Sequence, residues 1–171
     1  MTDGVSSNSP VNQTRFATTS ADRIRILERY HHIAMVGLSA NPFRPSHFAA
    51  IYLIAQGYDV TPVNPREKEV LGRKCYPSLI EVPDPIEIVD IFRETSAVPG
   101  IVEQAIARNA KVVWMQLGVI HEPAAEHARQ AGLEVVMDRC IKIEHARFFG
   151  GLSTIGLNTG VISSQKRNVS S

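Results

Sequence analysis

Apolar and polar positions along this chain fall into two alternating patterns. Short, nearly continuous apolar runs are separated by longer stretches whose apolar residues recur three and four apart. Ile33-Ala34-Met35-Val36, ended by Gly37, reads as a strand buried on both faces. Tyr58 to Val63, stopped by Asn64-Pro65, reads as a second strand. Ile86 to Phe92 alternates apolar and acidic, then ends apolar, and reads as a third. Lys111 to Met115 and Leu133 to Met137 read as the fourth and fifth. Helical patterns lie between them. Ser20 caps one that runs to about Arg29, and Pro45-Ser46 opens another that Gly57 closes. Val98 to Asn109 puts Ile101, Val102, Ala105 and Ile106 on one face. Pro123 to Gln130 is closed by Gly132, and Ile141 to Arg147 forms the last helix.

Strands alternating with helices of this length predict βαβ units and a parallel sheet. Right-handed crossovers make it doubly wound. The expected fold is α/β and Rossmann-like, about five strands in the order 3-2-1-4-5, with the flavodoxin-like order as the alternative. The 171 residues suit one domain over residues 20–149. Residues 1–19 are rich in Ser, Thr, Asn and Gln and read as a disordered arm. Residues 150–171 read as a Gly- and Ser-rich tail that still holds Ile155, Leu157, Val161 and Ile162.

Charge removes some function classes. The formal net charge is +1, without the basic stripe expected of a nucleic-acid binder. No apolar run approaches the roughly 20 residues of a membrane helix, and no signal peptide is evident. The two cysteines, Cys75 and Cys140, form no CxxC pair, which suits free thiols and a cytoplasmic protein. The six histidines have no metal-ligand spacing: His31 and His32 are adjacent, and Glu144-His145 lacks the second histidine of HExxH. Ser39 has no evident base beside it, so no catalytic set is assigned.

In such folds, ligands bind outside the carboxyl ends of the strands. The five segments there are Gly37 to Ser46, Asn64-Pro65-Arg66, Phe92 to Thr95, Gln116-Leu117-Gly118 and Asp138-Arg139-Cys140. Four of them carry an arginine, as a phosphate-rich ligand requires. Gly37 allows a tight turn. The helix beginning near Ser46 offers its N-terminus to a pyrophosphate, and Ser39 and Arg44 add a hydroxyl and a charge. The dinucleotide fingerprint is absent, because Ser39 and Pro42 stand where its further glycines belong. The second strand also ends without the acidic residue that holds a ribose diol. NAD is disfavoured; NADP is less so, since Arg66 can meet a 2′-phosphate. Cys140, after Arg139 and before a helix, has a setting that favours thiol reactivity, against the plainer reading of a small packed residue.

Val36-Gly37-Leu38-Ser39, Asn41-Pro42, Arg44-Pro45-Ser46, Val63-Asn64-Pro65, Cys75-Tyr76-Pro77-Ser78-Leu79, Val89-Asp90-Ile91-Phe92-Arg93, Val113 to Gly118 and Met137 to His145 occur in one order. Over roughly residues 24–148, this set resembles the small bacterial and archaeal CoA-binding domain proteins. Their fold is that of the nucleotide-binding domain of the succinyl-CoA synthetase α subunit. The resemblance implies coenzyme A at the edge described above. It would put Gly37, Ser39 and Arg44 at the pyrophosphate, and Asn64, Pro65, Arg66 and Lys68 around the ribose phosphate. Phe92, Arg93 and Val98 would line the adenosine side, with Met115, Gln116 and Leu117 along the pantetheine arm. The synthetases' phosphorylated histidine lies on a further domain that nothing here matches. Three readings follow: a non-catalytic CoA or acyl-CoA binding module, an NADP-linked reductase, or a subunit that works only with a partner chain. A homo-oligomer fits any of them.

Overall fold

The computed structural model describes residues 19–150; the arm and most of the tail lie outside them. The helices are α1 (Ser20–Arg29), α2 (Pro45–Ala55), α3 (Val98–Ala107), α4 (Glu122–Gln130) and α5 (Ile141–Phe149). The strands are β1 (His32–Val36), β2 (Asp59–Val63), the hairpin β3 (Glu69–Val70) and β4 (Arg73–Lys74), then β5 (Ile88–Ile91), β6 (Val112–Met115) and β7 (Glu134–Val136). Thr19 caps α1 in place of Ser20: its side chain accepts from the Asp22 amide, and Asp22 bonds back in a capping box.

Five parallel strands form the main sheet in the order β2-β1-β5-β6-β7. This confirms the parallel α/β architecture and replaces the expected order 3-2-1-4-5 with 2-1-3-4-5, the flavodoxin-like alternative. The third long apolar run, β5, does not lie outside β2; it pairs with β1 on the side away from β2. The reason sits at Tyr76. Its N–H donates to the Pro62 carbonyl, and its own carbonyl accepts from Asn64, a one-residue parallel bridge outside β2. That bridge occupies the outer position assigned to the third strand, and it is too short to show as an apolar run. Counting it, the strands wind outward from β1 on both sides, as in a Rossmann sheet. The switch point therefore falls between β1 and β5.

The apolar runs bury both faces of the sheet. On one face Val89, Ile91, Val113 and Val135 pack under α3 and α4. On the other, Ile33, Met35, Ile88, Val112 and Trp114 pack under α1, α2 and α5. A buried ion-pair set seals α1 to α5: the Arg23 Nε and Arg147 Nη2 groups both donate to Glu144 Oε2, at 2.7 and 2.9 Å. Nearby, the Tyr52 hydroxyl is 2.9 Å from His145 Nδ1, and the Tyr58 hydroxyl donates to the Leu27 carbonyl.

Candidate functional site

The carboxyl ends of β1 and β5 approach each other closely. The Gly37 N–H donates to the Val63 carbonyl, and Phe92 N–H donates to that of Val36. Gly37 has φ +88°, and a Cβ added there would lie 2.4 Å from the Phe92 carbonyl oxygen. Any side chain at 37 would thus force the two strand ends apart. Glycine here is needed for chain packing at the switch point, whatever ligand sits above it.

The next loop is tied to the first turn of α2. Ser39 N–H donates to Ser46 Oγ, the Ser39 carbonyl meets His47 Nδ1, and Ser39 Oγ accepts from Asn41 N–H. Arg44 is the α2 N-cap residue with no side-chain capping bond, and it stays exposed. On the β2 side, Asn64 is already engaged: its Nδ2 donates to the Leu38 carbonyl and its Oδ1 accepts from Arg66 N–H. Asn64 braces the first loop, whereas the side chains of Pro65, Arg66 and Lys68 stand exposed beside it.

A cavity of about 620 Å³ opens at this edge, between the N-termini of α2 and α5. Its volume is that of a site for a cofactor-sized molecule. Of the residues expected at a ligand, Phe92, Arg93, Gln116 and Leu117 line it. Val98 and Met115 do not: both are fully buried, packed in the core under α3 and α4. Val98 is the first residue of α3 and Met115 the last of β6, and each side chain falls on the face that packs into the core. Arg139 stays outside the lining too, its backbone pinned by bonds to Met115 and Trp114. Cys140, half-buried at the α5 N-cap position, does line the cavity.

Several wall residues were not predicted. Phe43, Phe48 and Ile143 supply apolar surface, and Lys142 supplies a cation. Phe43 is 86% exposed and Leu117 is 65% exposed, unusual values for large apolar side chains. Phe43, an aromatic within a loop of polar and proline residues, was the available signal. Lys142 carried no such mark, because a basic residue in a first helical turn is commonly a solvated one.

Electrostatics distinguish two groups. Arg93 Nη2 lies 3.0 Å from Glu94 Oε1, and this contact, with a smaller contribution from Arg66, holds the Glu94 carboxyl below its ordinary range. The strand ends of β2 and β5 therefore present one shared charged patch. Asp90, inside β5, is fully buried, and desolvation pushes its carboxyl up to about 7. Gln116 Nε2 donates to Asp90 Oδ1 at 2.6 Å. Asp138, with φ +57°, accepts from Gly118 N–H and ties the loops after β6 and β7 together. No cluster of three or more metal-ligating side chains occurs among the described residues. No helix among them is long and apolar enough to cross a membrane.

The chain is similar to several known proteins. The Bacillus subtilis protein YneT is 41% identical over 128 residues, which cover 75% of this chain and 95% of that protein. A solved Pyrococcus horikoshii protein superposes with TM-score 0.76 at 48% identity, covering 77% of this chain and 93% of that one. The ADP-forming acetate–CoA ligase II of Archaeoglobus fulgidus is 29% identical over 150 residues; these cover 85% of this chain but 21% of the ligase. The sequence pattern of the CoA binding domain matches residues 31–146, and the chain accordingly belongs to the CoA-binding domain family.

Proposed function

We propose that this protein binds coenzyme A or an acyl-CoA at the carboxyl edge of its sheet, as a non-catalytic binding module of the cytoplasm. The observation that carries the reading is the cavity of about 620 Å³ at the β1–β5 switch point, apolar along one wall and flanked by Arg93 and Lys142. An apolar wall suits a long thiol-bearing arm, and cations at the mouth suit its phosphates. Gln116 and Leu117 face the arm in this reading, and Phe92 and Arg93 take the adenosine side. Gly37, Ser39 and Arg44 lie toward the pyrophosphate. Asn64 positions Pro65, Arg66 and Lys68 near the ribose phosphate. The Asn64 side chain acts through the loop it braces, since both its polar atoms are engaged.

The chain's place in the ligase relatives supports a further reading, in which this module serves a partner chain that performs the chemistry. The ligase is much longer, and the matched part is a fraction of it. Calorimetric titration under reducing conditions, with NADP and ATP as controls, tests the primary reading. Micromolar binding of coenzyme A alone is the expected result. Binding of NADP in preference to coenzyme A would replace it with the reductase reading.

A further inference from the structure

Asp90 is a costly residue in this fold. It lies in the central strand β5, paired in register with Met35 on one side and Trp114 on the other. Its side chain has no exposed surface, and among the described residues nothing hydrogen-bonds its Oδ2. A buried carboxyl with an orphaned oxygen weakens a fold. An apolar residue at this position would serve the core better.

Its one polar partner explains its presence. Gln116 is nearly buried yet lines the cavity, and its Nε2 is committed to Asp90 Oδ1. A carboxamide has a donor end and an acceptor end. Asp90 Oδ1 accepts here whether or not Oδ2 carries a proton, so it draws the donor end inward. The carbonyl oxygen is then the polar atom that Gln116 can offer the cavity. Without Asp90 the amide is free to rotate, and either end can face a ligand.

We infer that Asp90 is a positioning residue that fixes the Gln116 carboxamide with its carbonyl oxygen toward the cavity, so that the site selects a ligand arm presenting a hydrogen-bond donor there. This rests on the coenzyme A reading and narrows it. The arm of that ligand carries amide N–H groups and a terminal thiol, whereas its nucleotide half meets the site through phosphates and a base. Selection by Gln116 therefore acts on the arm alone.

Two probes separate these halves: coenzyme A, and the adenosine bisphosphate half of the same molecule. Asp90→Leu is expected to weaken coenzyme A about tenfold, the scale of one lost buried hydrogen bond. Binding of the adenosine bisphosphate should stay within about twofold. Asp90→Asn keeps a carbonyl oxygen that accepts from Gln116, so it should restore most of the coenzyme A affinity. Thermal melting of each variant accompanies the titrations, and affinity should fall in Asp90→Leu without a lowered melting temperature. Should Asp90→Leu fail to fold, Gln116→Leu provides the same contrast between the two probes. Unchanged coenzyme A affinity in Asp90→Leu or in Gln116→Leu overturns the inference, as does equal loss of both probes. A wild-type protein that binds no coenzyme A removes the cofactor reading and the inference together. Binding unaffected by either leucine variant removes the inference alone.

Discussion

Among the described residues two carboxylates are buried, and their surroundings could hardly differ more. Glu144, on α5, is met by two guanidinium groups, from Arg23 and Arg147, on one of its oxygens. Asp90, on β5, is met by one neutral amide. The first lies at the seam that holds α1 against α5; the second lies behind the cavity wall. A buried charge with charged partners is a structural fastening whose loss is severe. A buried carboxyl left with a single neutral partner is a liability to the fold, and it is found where function offsets the cost. The contrast separates the seam that fastens the fold from the wall of the cavity.

Removing one partner at the seam tests the stronger half. Glu144→Ala leaves two buried guanidinium groups without their shared acceptor, and should cost about 3–5 kcal/mol in denaturant unfolding. A loss below about 1 kcal/mol would mean that the seam is hydrated and the contrast false.

Asp90→Asn should act in the opposite direction. The native carboxyl titrates near 7, and its ordinary value is 3.8. The folded protein therefore holds a proton that the unfolded chain has lost between those values. Stability contributed by the protonated form is complete below about pH 4 and is lost as pH rises through about 7. At pH 8 the asparagine variant should be more stable than wild type by about 2–4 kcal/mol, with the gap closing toward pH 4. A gap of constant size across that range would show that Asp90 does not titrate as its burial demands.

Arg93→Ala sharpens the binding side. Its ion pair with Glu94 is partly exposed, so stability should change little. Coenzyme A affinity should fall by about 1.5–3 kcal/mol, and dephospho-coenzyme A affinity by less, if Arg93 meets the phosphate that distinguishes them. Equal losses would move Arg93 away from that phosphate. The smallest effect is expected at His145, beside Glu144 on the seam. Burial holds this imidazole below its ordinary value of 6.5. Its contribution is complete above about pH 6.5 and is lost as pH falls through the lower native value. His145→Gln should flatten the acid limb of the stability profile by about 1 kcal/mol or less. The two sites thus oppose each other just below pH 6.5, and each variant exposes the slope of the other. A profile that Asp90→Asn and His145→Gln both leave unaltered would break the comparison.

Much of the fold was legible from local pattern. Ile33 to Val36 could only be a strand buried on both faces, and Pro45 with Gly57 bracketed α2 as written. The edge where the cavity opens followed from the order of elements. The choice between the two expected strand orders was not legible, because it turns on Tyr76, a single residue bridged to Val63. Val98 and Met115 were misplaced for a related reason: proximity in sequence to a strand end does not say which way a side chain points. Asp90 could be seen as an acid in an apolar run, but its partner Gln116 is 26 residues away.

The sequence by itself determined most of the strands and helices, that the long strands run parallel, and which edge carries the loops around the cavity. Those properties depend on periodicity and on short-range turn chemistry, which act within a few residues. The tertiary structure alone decided the position of the switch point, the identity of the cavity walls and the unequal treatment of two buried carboxylates. Each of these depends on residues distant in sequence that close packing brings within a few ångströms, and desolvation acts on a group only through the neighbours that packing supplies.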